Sequence, residues 1–288
     1  MRSTLSQVIQ TKSEIDYSYK TIKITQSRIG KGLIAIPVAL AKWFPDHNDT
    51  IQVYLNDSPV SQTKHYSSYD SSTRECRIGG MKHWFQQNNI KRGDEIVIQL
   101  IDKERFIYRL IPERNFILKT KELQNSFDKS ETEEEASEKI TTLAQWTHLT
   151  EGKVVLNEYY RLINALLTKG RQYVKKPSSR ARESAPTNLR TLLEQIYKGH
   201  CQVCDFWFLK RDKKPYFETH HIDPLKGHHP KNLLVVCGNC HNQFEYTEVK
   251  QVFNDEWLVR VSFNERTHSV KQAVLSAKIE GFFKELII

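Results

Sequence analysis

Apolar and polar positions alternate with a period of two along much of the first third of the chain. "TIKIT" (21–25), "LIAIP" (33–37), "IQVYL" (51–55), "EIVIQLI" (95–101) and "RFIYRLI" (105–111) each read as a short, half-buried strand. Two stretches break that rhythm. "VALAKWF" (38–44), between Pro37 and Pro45, and "GGMKHWFQQNN" (79–89) are spaced as short helices, and "NDSP" (56–59) is a turn. Many short strands with two short helices predict a small barrel.

The pattern changes after Pro112. "KTKELQNSFDKSETEEEASEK" (119–139) is polar and acidic, which predicts a solvated helix or a linker. "ITTLAQWTHLTEGKVVLNEYYRLINALLTKG" (140–170) has helical spacing, with Leu156, Tyr159, Tyr160 and Ile163 expected on the packed face. "KKPSSRARESAP" (175–186) reads as a basic linker, and "LRTLLEQIYKG" (189–199) as a helix. Near the end, "EWLVRVSF" (256–263) reads as a strand and "SVKQAVLSAKIEGFFKELI" (269–287) as a closing helix. The pattern predicts an α+β protein: residues 1–19 an extension, 20–112 a small β-barrel, 113–187 an acidic and helical connector, and 188–288 a second folded domain.

With 288 residues, 39% of them hydrophobic, the chain can bury two cores. No apolar run approaches the about eighteen residues of a membrane span, and "MRSTLSQVIQTKSEIDYSYK" has no apolar core of a secretory signal. The expectation is a cytoplasmic protein of a prokaryotic cell, with no membrane partner. The net charge is +9, distributed as +5 over 1–112, −3 over 113–150 and +6 over 151–200. Positive charge flanking an acidic middle suits a polyanionic partner.

Five cysteines, an odd number, argue against a disulfide framework. Cys201-x-x-Cys204 and Cys237-x-x-Cys240 form two knuckles, whose four thiolates suit one structural zinc ion in a closed tetrahedral shell. Cys76 stands apart, as an ordinary buried thiol. Between the knuckles, "YFETHHI" (216–222) is a strand ending in His220-His221, followed by a loop with Pro224 and Gly227. "NLLVV" (232–236) is the return strand, and the second knuckle opens a helix with His241 in its first turn.

That order of strand, loop, strand and helix, carrying His-His, a central Asn and the stretch "CGNCH", resembles the HNH (ββα-metal) nucleases over residues 195–246. The resemblance implies that His220 and His241 hold a divalent ion. It makes His221 the base that takes a proton from the attacking water, with Asn232 bracing the loop. It also implies products with 5′-phosphate and 3′-hydroxyl ends. Imidazole ligands would accept Mg²⁺ or Mn²⁺, and Co²⁺ or Ni²⁺ as well. Neighbouring strand residues point to opposite faces, so His220 and His221 can serve different ends. Glu245, one helical turn after His241, is either a further ligand or a solvated residue. His228 and His229 in "KGHHP" read as exposed loop residues.

The first domain is similar to the B-three DNA-binding pseudobarrel. "ITQSRIGKGLIAIPVALAKWFP" (24–45) and "CRIGGMKHWFQQNNIKRGDEIVIQLI" (76–101) carry the likeness. It implies two arms that grip double-stranded DNA: Gln26, Ser27, Arg28 and Lys31 in one, and Tyr66, Ser67, Ser68, Tyr69 and Arg74 in the other.

Together the two resemblances imply a DNA endonuclease of the type II restriction kind: a barrel that reads, a zinc-clipped domain that cuts, a homodimer, and a partner DNA methyltransferase in the same system. A modification-dependent nuclease, a nicking or homing-type nuclease, and a non-cutting zinc-containing DNA-binding regulator remain as alternatives.

Overall fold

The computed structural model describes residues 11–12, 17–68, 75–165, 173–176, 179–182 and 184–273. The chain divides into two compact units, residues 1–122 and 123–288. Tyr69 and Arg74, and the expected closing helix beyond residue 273, lie outside the described residues.

The first unit begins with β1 (Thr11–Lys12), β2 (Tyr19–Lys23), α1 (Gln26–Lys31) and β3 (Ile34–Ala35), then a 3-10 turn, Val38–Trp43. β4 (Asp49–Leu55), β5 (Ser61–Ser67), β6 (Arg77–Ile78), α2 (Lys82–Gln87), β7 (Glu95–Asp102) and β8 (Ile107–Pro112) follow, and α3 (Glu113–Asp128) leaves the sheet. The strands form one eight-stranded sheet in the order β1-β2-β7-β8-β4-β5-β6-β3. Among the described residues, only the β4–β8 pair in it is parallel. Ile22 of β2 and Ile34 of β3, near opposite ends of that order, join one core with Ile51, Val53, Ile96 and Leu110, so the sheet wraps around a single interior. Phe44 stacks on Tyr108 at 4.3 Å and on Tyr66 at 5.2 Å inside it.

Pattern reading missed β5, which pairs along its length with β4, because "SQTKHYS" carries almost no apolar residue. Gly32 ends α1 in the left-handed conformation (φ 63°), and a Cβ there would lie 2.7 Å from the Lys82 nitrogen, so only glycine fits.

The second unit is helical at first: the end of α3, then α4 (Glu133–Thr147), α5 (Glu151–Ala165) and α6 (Thr187–Tyr197). The Thr132 hydroxyl caps α4 by accepting the Glu135 N–H, and Glu133, Glu134 and Glu135 complement its positive end. The acidic stretch is thus largely helical, and it is not solvated all round: Thr120, Gln124, Phe127 and Ala136 are buried.

On α5 the buried face is Val154, Val155, Glu158, Tyr159 and Leu162, rotated from the one the spacing predicts; Leu156, Tyr160 and Ile163 are half-buried. That face includes Glu158, which is buried and paired at both carboxylate oxygens. It accepts from Gln124 at 2.8 Å and from Arg161 at 2.6 Å, and Arg161 also grips Asp128. Part of the expected basic linker forms an antiparallel ladder, β9 (Tyr173–Lys176) with β10 (Ser179–Arg182).

The remainder holds β11 (Glu218–His221), a 3-10 turn at Pro230–Asn232, β12 (Leu233–Val236) and α7 (Gly238–Tyr246). A meander follows, β13 (Val249–Asn254), β14 (Trp257–Phe263) and β15 (Arg266–Ser269). The sequence pattern showed only β14 of that meander. β11 pairs antiparallel with β12, and all four side chains of β12 are buried. Leu234 and Val236 join Cys201, Cys237, Cys240, Leu258, Val261 and Phe263 in the core beneath the hairpin. Among the described residues, no helix is long and apolar enough to cross a membrane.

Candidate metal and nuclease site

The two cysteine knuckles meet. The sulfur atoms of Cys201, Cys204, Cys237 and Cys240 all lie within 4.8 Å of one another. Two thiolates on one zinc ion, with bonds of about 2.3 Å in a tetrahedral shell, are about 3.8 Å apart; Cys204 Sγ is 3.7 Å from Cys237 Sγ. The cluster could therefore hold zinc. Cys237 also caps α7, its sulfur accepting the Cys240 N–H at 3.4 Å. A hydrogen bond from the Cys240 thiol, joined by backbone N–H groups, lowers the Cys201 pKa, which favours the thiolate form that zinc binds. The fifth cysteine, Cys76, is buried in the first unit and accepts a hydrogen bond from Tyr66 Oη at 3.1 Å.

The histidine site is built across β11 and α7. His220 is 7% exposed and stacks on Phe244 at 4.2 Å, with its ring 5.2 Å from that of His241. Burial, with the neighbouring His241 second, pushes the His220 pKa down to about 4 and leaves a neutral imidazole suited to ligation. One ligand atom from each of His220, His241 and Glu245 falls within 4.8 Å of the others. Donors that share one ion at bonds of about 2.1 Å stand about 3.0–3.4 Å apart, so the three side chains could hold an ion by drawing together around it. Glu245 is exposed, as a solvated helix residue is, and its carboxylate lies close enough to the two histidines to add a ligand.

Glu218 was not singled out by the sequence reading. Its carboxylate accepts from His241 Nδ1 and from Tyr216 Oη. Burial alone would raise its pKa; the hydrogen bonds from Tyr216 and His241 outweigh that and lower it. With Nδ1 occupied, His241 has Nε2 for a ligand, the carboxylate–histidine pairing common around bound metals. Gly238 makes room for the arrangement, since a Cβ there would lie 3.0 Å from Tyr216 Oη and 3.3 Å from Glu218 Oε1. The signal was present: Glu218 is one strand period from His220 and shares its face.

His221 is 9% exposed, and its Nε2 lies 3.0 Å from His228 Nδ1. Asn232 closes the loop between β11 and β12. Its Nδ2 donates to the Asp223 and Gly227 carbonyls, both at 3.0 Å, and its Oδ1 accepts the Asp223 N–H at 2.8 Å. His229 accepts the Lys231 N–H at 3.1 Å, and its Nε2 is 3.0 Å from the Ile163 carbonyl. Sequence reading expected His228 and His229 to be exposed loop residues, but both are half-buried, His228 against His221 of β11 and His229 between the Lys231 N–H and the Ile163 carbonyl of α5.

The residues expected to read DNA fare unevenly. Gln26, Ser27, Arg28 and Lys31 lie on α1; Gln26, Ser27 and Lys31 are exposed, and Arg28 pairs with Glu75. Tyr66 and Ser68 are each 1% exposed. Tyr66 faces the core from β5, and the Ser68 N–H is held by Asn48 at 2.8 Å, so neither side chain is presented to a ligand. Ser67 is half-buried.

Residues 201–246 match the HNH endonuclease family, and that stretch spans both knuckles, both strands and the helix just described. No curated protein matches the chain. Among solved structures, it is similar to an Arabidopsis FUS3–DNA complex at 13% identity, over 32% of this chain and 92% of that one, with a TM-score of 0.27. It is similar also to the complex of the Arabidopsis thaliana transcription factor LEC2 with DNA, at 18% identity over 32% and 88%, with the same TM-score of 0.27.

Proposed function

We propose that the chain is a site-specific DNA endonuclease of the type II restriction kind, cutting to leave 5′-phosphate and 3′-hydroxyl ends. The observation that carries this reading is the clustering of His220, His241 and Glu245 on one side of β11, with His221 next along the same strand. His220, His241 and Glu245 would hold a divalent ion, Mg²⁺ or Mn²⁺ in the first instance. Such an ion, when bound, supplies Lewis-acid stabilisation of the charge that builds on the phosphoryl and leaving oxygens.

The chain's own groups do the rest. His221 takes the proton of the attacking water. Asn232 holds the loop closed behind it, and Glu218 fixes the His241 ring. The four cysteines keep β12 and α7 in place through a zinc ion. The first unit reads DNA through the exposed groups of α1, with Gln26 offering paired hydrogen bonds to a base edge and Ser27 and Lys31 to phosphate. Two copies would deliver the cuts to the two strands, and a methyltransferase of the same system would protect the host's sites.

The test is plasmid digestion with Mg²⁺ or Mn²⁺. Wild type is expected to cut supercoiled plasmid, and His221→Ala to lose cutting while retaining DNA binding and zinc. Plasmid left intact by the wild type with both ions would instead favour a non-cutting DNA-binding protein. Residual cleavage by His221→Ala above a few per cent would reject the assigned base. Comparing methylated with unmethylated plasmid separates a modification-dependent enzyme.

A further inference from the structure

The loop between β11 and β12 is fixed at three successive residues. Asn232 Nδ2 donates to the Gly227 carbonyl at 3.0 Å, and His229 is held at both ring nitrogens, by the Lys231 N–H and at the Ile163 carbonyl. Between these anchors, His228 has little freedom, and its Nδ1 lies 3.0 Å from His221 Nε2, with ring centroids 5.1 Å apart at 65°. A contact of that length between two ring nitrogens needs one proton between them. Which ring carries it decides the tautomer of the other, and a histidine base works only with its lone pair on the correct nitrogen.

We infer that His228 is the positioning residue of the base, fixing the orientation and tautomer of His221 through the Nδ1–Nε2 hydrogen bond. This rests on the nuclease reading. It also gives the Asn232 amide a further purpose, because the bonds that close the loop are what hold His228 against His221. The positive charge that His221 acquires on taking the water's proton is shared through the same hydrogen bond. No part of His228 need touch the substrate.

The test compares His228→Leu with His228→Asn in the full chain. The two replacements have the same branched shape and number of side-chain heavy atoms, but only asparagine keeps a polar atom near the place of Nδ1. Plasmid cleavage with Mn²⁺ is measured for kcat and KM, with zinc content and Tm as controls. His228→Leu should lower kcat by between about tenfold and about a hundredfold with KM, zinc and Tm unchanged, since a misoriented catalytic group costs that much. His228→Asn should recover at least about threefold over His228→Leu. Wild-type kcat in His228→Leu would overturn the inference, as would equal loss in both variants or loss of zinc or Tm in both, which would make the ring a packing element. Wild type that leaves plasmid intact defeats the nuclease reading itself and the inference with it. A cutting wild type beside a fully active His228→Leu defeats the inference alone.

Discussion

Glu218 stands one strand period before His220 and accepts a hydrogen bond from His241 Nδ1, so a single carboxylate sets the direction of a candidate ligand on another element. Removing such a partner typically costs tenfold to a hundredfold in metal affinity. Glu218→Gln is therefore expected to raise the Mn²⁺ concentration for half-maximal plasmid cleavage by about tenfold or more, with cutting recovered at high Mn²⁺. An unchanged Mn²⁺ dependence would show that His241 is oriented without it. Glu218, and Glu245 one turn after His241, could be found by counting along a strand and a helix. His228 could not: it reaches His221 only because Asn232 closes a loop, and loop closure leaves no periodic trace in sequence. Tyr66 shows the opposite failure. The resemblance to a DNA-binding pseudobarrel put it on an arm, and its neighbours in "SQTKHYSS" are polar, yet pairing with β4 turns the tyrosine into the core against Phe44.

The hairpin of β11 and β12 and the helix α7 are short, at four, four and nine residues. Elements of that size are marginal without a tie. The cysteines supply it, since Cys237 both belongs to the cluster and caps α7, while Cys201 and Cys204 bring the chain entering β11 to the same point. Cys204→Ser should lose zinc and unfold the module around residues 195–246, visible as loss of bound zinc together with a fall in Tm, and a chelator should do the same to wild type. A Cys204→Ser variant that remains folded and zinc-free would mean that β12 and its core, Leu234, Val236, Leu258 and Val261, suffice. The knuckles, the hairpin and α7 were legible because metal-ligand spacing is rigid. β13 and β15 were not, because "VKQVFN" and "RTHS" present nearly every side chain to solvent and owe their strand form to pairing with β14. The helical stretch after Pro112 was misread for a related reason: its charge suggested solvation, while one face of α4 is buried.

Each unit has a core of its own, one spanning Ile22 to Leu110 and the other Cys201 to Val270. On the proposed function, reading and cutting are therefore expected to separate when the chain is divided, provided the division respects α3. Residues Gln124, Phe127 and Asp128 of that helix belong with the second unit: Phe127 is fully buried, Gln124 bonds to Glu158, and Asp128 to Arg161. A fragment starting at Leu123 would begin within α3, whereas one spanning 113–288 keeps the helix whole. That fragment is expected to fold, bind zinc and cleave plasmid with Mn²⁺, but with cuts spread over many positions. The fragment 1–112, which carries +5 of the net charge and the exposed groups of α1, is expected to bind duplex DNA without cutting it, more weakly as salt rises. Sequencing the fragment ends compares the two cutting patterns directly. If 113–288 cuts at the same positions as the whole chain, sequence is read by the nuclease unit itself, and the division of labour proposed for the two units is wrong even though the chemistry at His221 would stand.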